Sequence, residues 1–498
     1  MIFPEVVTAG FLFWTTVGVV LGVVVGCVPG LTGAMVIALT LPLTFSMSGP
    51  DALALLVAIY VGSVSGGLIS ATLLNIPGTP ASLMTTLDGY PMAAGGRPRR
   101  ALALGITASL VGGIVSWVVL ALMARPMALW STKIGPADMF SLVVVALVLI
   151  AVISKDSMTA GLFSGCLGLL FALPGMHPAS GQTRLTFGIP DLNDGFRLLP
   201  VLIGLFAVSQ LLKDVAQAPT AVRKSSGNAE KPTTESAHPD VAQTPGEWLS
   251  DLPNLGRSSI IGTVVGILPG VGANIGSILS YAAARSRSKT PEAFGKGCEE
   301  GIIASEAANN ATVGGALIPL ISLGIPGSVI DAILLGAFVI HGLQPGPLLF
   351  ENNPEVVHTI TMSYLVANIL MFGFMLVTAR WLVRLTQVPI GFLVPVLLTF
   401  CVLGSYALAN RFFDVWVMVS FGLLGLAFDR IRIPIAPFVI GFVLSPIAEE
   451  NLCAALMSSN HDYSIFLSRP LSAGLLAVSL MLCIATFMRS NETRLPSS

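Results

Sequence analysis

Four Pro-Gly pairs carry most of the chemistry this sequence offers: Pro29-Gly30, Pro77-Gly78, Pro269-Gly270 and Pro326-Gly327. Proline has no backbone N–H and glycine no Cβ, so a helix that reaches such a pair breaks. Small polar residues flank each break: Gly30 and Thr32 at the first, Asn75, Thr79 and Ser82 around the second, Asn274 after the third, Gly327 and Ser328 at the fourth. A helix that restarts there turns free N–H groups and a partial positive charge toward whatever it faces, which suits an anion. No Lys or Arg lies within the four motifs. A carboxylate bound there is held by amides, hydroxyls and dipoles, and a bound cation would offset its charge. These residues are the expected substrate-binding set. The competing structural reading makes each break a kink or packing notch without a ligand.

The other polar feature is Ser305-Glu306-Ala307-Ala308-Asn309-Asn310, set among apolar residues. Glu306 and Asn310 are four apart and share a helix face. Ionisable groups inside a membrane are expensive and usually functional. Glu306, Asn309 and Asn310 are therefore expected to coordinate a coupling cation, with Na⁺ the expected ion, or to touch the substrate. The alternative puts Glu306 at the membrane surface, ion-paired to the basic loop Arg285–Lys296. Asp88 and Asp331, at motif ends, read equally as caps and as ligands.

The histidines (177, 238, 341, 358 and 461) show no metal-ligand spacing, and His341 resembles a helix end. The six cysteines form no CxxC pair and read as packed thiols. HExxH and GxSxG motifs are absent, so no catalytic residue, metal centre or enzymatic activity is expected. The absence of a Walker-type phosphate loop removes ATP as the direct energy source.

The elements that position these residues follow from composition. Charged residues make up 10% of the chain, against roughly 25% in an average globular domain. Apolar residues make up 54%, with 51 glycines besides. Val6–Pro50, Ala52–Leu87, Ala101–Ala124, Ser258–Ala284, Ala307–Ile330, Val356–Ala379, Leu385–Asn410 and Pro470–Met488 contain no Asp, Glu, Lys or Arg. About 20 apolar residues span a bilayer as a helix. The expected fold is an all-α polytopic membrane protein, with about 11–13 transmembrane or re-entrant helices. The alternation of an outer-membrane barrel is missing. The N-terminus, with Glu5 and a very long apolar segment, does not read as a cleaved signal. A net charge of −1 suggests no nucleic-acid partner.

The polar stretch 217–250, rich in Pro, Ser and Thr, cannot bury a core and reads as a linker. It separates a first membrane repeat, 1–216, from a second, 251–498. The halves echo each other. Gly22, Gly26, Pro29 and Gly30 match Gly262, Gly266, Pro269 and Gly270, 240 positions on. Gly66-Gly67 and Pro77-Gly78 are followed in the second half by Gly314-Gly315 and Pro326-Gly327, the Pro-Gly pair being 249 positions on. Two matches in the same order indicate duplication. Equivalent loops carry opposite charge. Ser48–Asp51 lacks basic residues where its counterpart has Arg285, Arg287, Lys289 and Lys296; Arg97, Arg99 and Arg100 answer to Glu351 and Glu355. Because Lys and Arg favour cytoplasmic loops, the repeats are expected to be inverted, with helices broken at the midplane. A linker inside, N-terminus outside and C-terminus in the cytoplasm places most of the 25 basic residues inside.

Pro29-Gly30-Leu31-Thr32-Gly33, Leu74-Asn75-Ile76-Pro77-Gly78-Thr79-Pro80-Ala81-Ser82, Asp88-Gly89-Tyr90-Pro91-Met92, Phe294-Gly295-Lys296-Gly297, Glu306-Ala307-Ala308-Asn309-Asn310 and Gly324-Ile325-Pro326-Gly327-Ser328 resemble the large membrane subunit of the tripartite tricarboxylate transporters. The resemblance runs over about residues 10–490; the linker is its least typical part. It implies a small four-span membrane subunit, a periplasmic solute-binding protein, a bacterial inner membrane as the lipid bilayer, and citrate or related small carboxylates as substrate. It further implies uptake driven by an ion gradient, usually Na⁺. It supplies no residue roles. A passive anion channel is the alternative; an intramembrane enzyme or a bland scaffold fits the motifs less well.

Overall fold

The computed structural model describes residues 7–28, 30–153, 158–177, 180–224, 245–382, 390–407 and 409–492. Pro29, and with it part of the first Pro-Gly pair, lies outside the described residues, as does 225–244 of the expected linker. In lipid a backbone has no water to bond to, so uncharged runs fold as helices that satisfy their own N–H and C=O groups. Seven helices among the described residues are long and apolar enough to cross a membrane: Ala9–Cys27, Gly49–Leu74, Pro98–Ser131, Leu198–Ala216, Pro354–Ala379, Phe412–Arg430 and Ile435–Ser458. Six shorter apolar helices accompany them. The chain is an all-α, multi-pass membrane protein. The one β-ladder among the described residues is a two-residue hairpin pairing Gly175 with Arg184 and Met176 with Thr183.

In chain order, the helices that bear on the site are α1 (Ala9–Cys27), α2 (Gly33–Thr40), α3 (Gly49–Leu74), α4 (Leu83–Ala94), α5 (Pro98–Ser131), α6 (Pro136–Ile153), α7 (Ser209–Lys224), α8 (Pro245–Ile267), α9 (Gly272–Arg287), α10 (Glu299–Leu323), α11 (Val329–Ile340) and α12 (Pro354–Leu382).

Lipid gives two apolar helices little hydrophobic reason to associate, so close packing over small residues takes over. A Cβ added at Gly22 or Gly26 of α1 would strike the carbonyl of Ile59 or Ser63 on α3, and one at Gly66 would strike that of Val23. The second half repeats this pattern. A Cβ at Gly262 or Gly266 of α8 would strike the carbonyl of Ala308 or Thr312 on α10, and one at Gly315 that of Thr263. Every pair keeps the spacing of 240 positions on the first helix and 249 on the second. The structural counterpart of Gly66 is thus Gly315, one residue from the pairing that the Gly-Gly dipeptides suggest.

Contacts rise together along α1 and α3, so these helices run parallel. The chain returns between them through α2 and the 3₁₀ turn Leu41–Ser46. The same holds for α8 and α10, with α9 between. Helix α5 runs parallel to α10: Arg100 bonds Glu299, Ser109 bonds Glu306 and Ser131 bonds the Ser322 carbonyl. Helix α12 lies antiparallel to α5, with Trp117 on the Thr361 carbonyl and Ser116 on Tyr364. It follows the direction of α1 and α3, since Ser363 reaches the Ala54 carbonyl while Cys27 reaches that of Leu382.

Candidate functional site

All four expected helix breaks are present, and each has its own stop and start. Helix α1 ends at Cys27; Gly30 sits at φ +93°, and the Thr32 hydroxyl caps α2 by accepting the Met35 N–H at 3.2 Å. Helix α3 ends on Asn75, left-handed at φ +56°. The Thr79 and Ser82 hydroxyls, 2.9 Å apart, then open the turn Pro80–Ser82 that leads into α4. Helix α8 stops at Ile267, Gly270 sits at φ +78°, and Asn274 lies in the first turn of α9. Helix α10 ends on Gly324, left-handed at φ +71°, and the Ser328 hydroxyl caps α11 by accepting the Asp331 N–H at 3.3 Å. Asn75 and Gly324 are counterparts, and the left-handed backbone explains both. Glycine adopts it freely, and asparagine visits it more readily than other residues with a Cβ.

The breaks meet in a crossed arrangement. Within the second half, the Gly270 N–H donates to the Gly327 carbonyl at 2.8 Å. A Cβ on Gly327 would lie 2.9 Å from the Gly266 carbonyl, and one on Gly78 would strike the matching carbonyl of Gly26. Between halves, the start of α2 reaches the start of α11. A Cβ on Gly33 would lie 3.1 Å from Ile330 Cδ1, and the Tyr60 hydroxyl is 3.1 Å from that of Ser328. Reciprocally, α9 packs on the turn Pro80–Ser82. Each half therefore rests its restarted helix on the other half's break.

Not every expected residue faces this crossing. Asn75 is exposed and acts through its backbone. Gly30 faces α7, where a Cβ would lie 3.6 Å from both carboxylate oxygens of Asp214. Gly270 is covered by Ile150 of α6. Thr79, Ser82 and Gly327 are buried, while Thr32, Asn274 and Ser328 are partly so.

Glu306, Asn309 and Asn310 lie fully buried in the middle of α10. Glu306 accepts hydrogen bonds from the hydroxyls of Thr85 on α4 and Ser109 on α5, the latter at 3.2 Å. No cationic side chain is paired with it among the described residues. Asn310 donates to the Ser109 carbonyl at 2.7 Å and to the side chain of Asn368 on α12. Tyr364 donates to the Asn310 carbonyl at 3.0 Å and meets Ser116 at 2.7 Å. The Asn309 amide reaches the Val64 carbonyl at 3.4 Å. The Oδ1 atoms of Asn309 and Asn310 are left without a donor. Burying an acid without a countercharge costs several kcal/mol even when hydroxyls solvate it, and the unfilled oxygens are ligands of the kind a hard monovalent cation takes. Among the described residues no group of three or more His, Cys, Asp and Glu is placed to hold a metal ion.

Glu306 is not ion-paired to the Arg285–Lys296 loop among the described residues, and the arginines that open α5 pair with another acid of α10. Arg100 grips Glu299, seven residues before Glu306, through two bonds of 2.7 and 2.9 Å, with Arg97 at 3.6 Å. Asp88 of α4 is also buried. Its Oδ1 accepts the N–H groups of Gly295, Gly297 and Cys298 at 2.8, 3.0 and 2.8 Å, and its Oδ2 accepts the Tyr281 hydroxyl at 2.8 Å. An acid of the first half thus holds the loop that opens α10 in the second.

Sequence reasoning missed Thr85, Ser109, Tyr364 and Asn368, which converge on Glu306 and Asn310 from three other helices. A lone Asn in the uncharged run Val356–Ala379 was the available signal for Asn368. Thr85 and Ser109 carried none, because serine and threonine are common in such helices.

A family model described as "Tripartite tricarboxylate transporter TctA family" matches residues 12–440. The "Uncharacterized 52.8 kDa protein in TAR-I ttuC' 3'region" of Agrobacterium vitis is 33% identical over 498 residues, covering 99% of this chain and 96% of that protein. The "Uncharacterized protein in TAR-II ttuC' 3'region" of the same organism is 34% identical over 233 residues, covering 47% of this chain and 96% of that protein. No solved structure matches.

Proposed function

The chain belongs to the tripartite tricarboxylate transporter TctA family, and on that premise we propose that it forms the translocation pathway of an Na⁺-driven importer of tricarboxylates or related small carboxylates. It is the large membrane subunit of a tripartite tricarboxylate transporter and no enzyme. Its partners in this reading are a periplasmic solute-binding protein, which delivers the anion, and a small four-span membrane subunit. Its membrane is the bacterial inner membrane, with the N-terminus outside and the C-terminus in the cytoplasm.

One observation carries the reading. Two pairs of broken helices cross between the halves, next to a buried acid and amides that have oxygens to spare and no basic partner among the described residues. Amide ends there suit an anion, and the spare oxygens suit the cation that travels with it. Inverted repeats fit the packing directions. Helix α3 runs with α12, α12 against α5, and α5 with α10, so α3 and α10 run oppositely, as two-fold related halves of a secondary transporter do.

The test is uptake of radiolabelled citrate into vesicles containing the three-component complex, with Na⁺ and H⁺ gradients varied separately. Accumulation should follow the inward Na⁺ gradient and require the binding protein. Flux that needs neither would replace this reading with a passive anion channel.

A further inference from the structure

Asp331 is fully buried in the first turn of α11, at the point where the two halves cross. Its backbone N–H is capped by Ser328, yet neither carboxylate oxygen accepts a hydrogen bond. The Ser328 hydroxyl and the amides of Gly327 and Ser328 lie close enough to favour the charged carboxylate, but none completes a hydrogen bond of full geometry to it. Across the seam stands Tyr60 of α3, whose hydroxyl is spent on Ser328 at 3.1 Å. Ile330 beside it packs over Gly33 at the start of α2. No Lys, Arg or His is paired with it among the described residues.

An unpaired carboxylate in such a place costs far more than a cap returns. The helix start that favours an incoming anion is already shared with a fixed negative charge, and the two repel. A monovalent cation, either Na⁺ or a proton, removes both difficulties when it sits on Asp331: it neutralises the acid and leaves the amides of Gly327 and Ser328 to the substrate.

We infer that Asp331 is a second cation-binding residue, separate from the Glu306 network, and that its occupation is the condition for anion binding at the fourth break. This rests on the transporter reading above and specifies how coupling is enforced there. The cation binds first and the anion second, so an empty carrier cannot take substrate alone.

The test compares wild type and Asp331→Asn in the full complex reconstituted into vesicles, with radiolabelled citrate as the probe. Asn is a neutral isostere of the occupied acid. The variant should still exchange citrate for citrate but concentrate it less than wild type. With a tenfold gradient of the driving ion, loss of one coupled cation lowers the accumulation ratio about tenfold, the equivalent of 1.4 kcal/mol. One arm varies Na⁺ at constant pH and the other varies pH without Na⁺, which tells the two ions apart. Asp331→Asn that accumulates citrate as wild type does, with the same ion dependence, overturns the inference and leaves the transporter reading intact. So does loss of exchange along with uptake in protein that stays monodisperse in detergent, because that marks a structural role. Wild-type uptake indifferent to both gradients would instead sink the transporter reading.

Discussion

The two halves share a skeleton and differ in chemistry. Parallel glycine-packed helices, a returning short helix and a left-handed helix stop recur at matched positions: Gly26 with Gly266, Gly66 with Gly315, Asn75 with Gly324, Thr79 with Ser328. Glu306 and Asp331 have no acidic counterpart at the matched positions of the first half. Where the second half has Glu306, Asn309, Asn310 and Asp331, the first has Val57, Tyr60, Val61 and Ser82 at the corresponding positions. The matched geometry appears twice, and the acids proposed to bind a cation sit in one copy. Tyr60, the counterpart of Asn309, instead reaches over to Ser328 of the other half. Under the proposed function, the first half is the partner surface and the second the seat of coupling.

Variants at matched positions test this division. The largest effects should be equal in both halves. Gly66→Val and Gly315→Val each push a side chain into a facing carbonyl, and overpacking of that kind costs about 1–3 kcal/mol or more. Both should abolish monodisperse protein in fluorescence-detected gel filtration; tolerance of one alone would break the structural equivalence. Next comes the asymmetry. Glu306→Gln should leave insertion intact and cut Na⁺-driven citrate uptake about 100-fold, a loss of about 2.7 kcal/mol of coupling, while Val57→Ala in the other half keeps most of it. Equal losses would erase the proposed distinction. Asn310→Ala removes the tie between α5, α10 and α12, and uptake should fall about tenfold, in keeping with about 1–3 kcal/mol for a buried polar group left unpaired.

The smallest effects concern the helix stops. Asn75→Gly should be neutral and Asn75→Ala destabilising by about 1–2 kcal/mol, because alanine resists the left-handed backbone. Gly324→Ala should cost about as much, seen as matching shifts in thermal inactivation. A topological measurement sharpens the comparison further. Single cysteines at Thr290 and Asn352 should be labelled from the cytoplasmic and the outer side respectively, and the reverse would refute the proposed orientation.

The breaks were legible because Pro and Gly act locally: each pair announces its own interruption, and the spacing of the pairs announces the duplication. The role of Asn75 was only half legible. Its position as a helix stop could be read from the motif, but its exposed side chain could not. The setting of Glu306 depended on residues up to 221 positions away, such as Thr85. Nothing in the local sequence shows that Arg97 and Arg100 take Glu299 of the same helix. Residues that meet only because several helices converge leave no periodic trace.

The clasp around Asp88 also bears on how the protein is made. Until Tyr281 through Cys298 have been synthesised, that carboxylate has no donors; without the first half, the Gly295–Cys298 turn has three amide hydrogens and no acceptor. Neither half is chemically complete as a separate product. Fragments divided in the 225–244 stretch should each be unstable when produced alone and recover only when produced together.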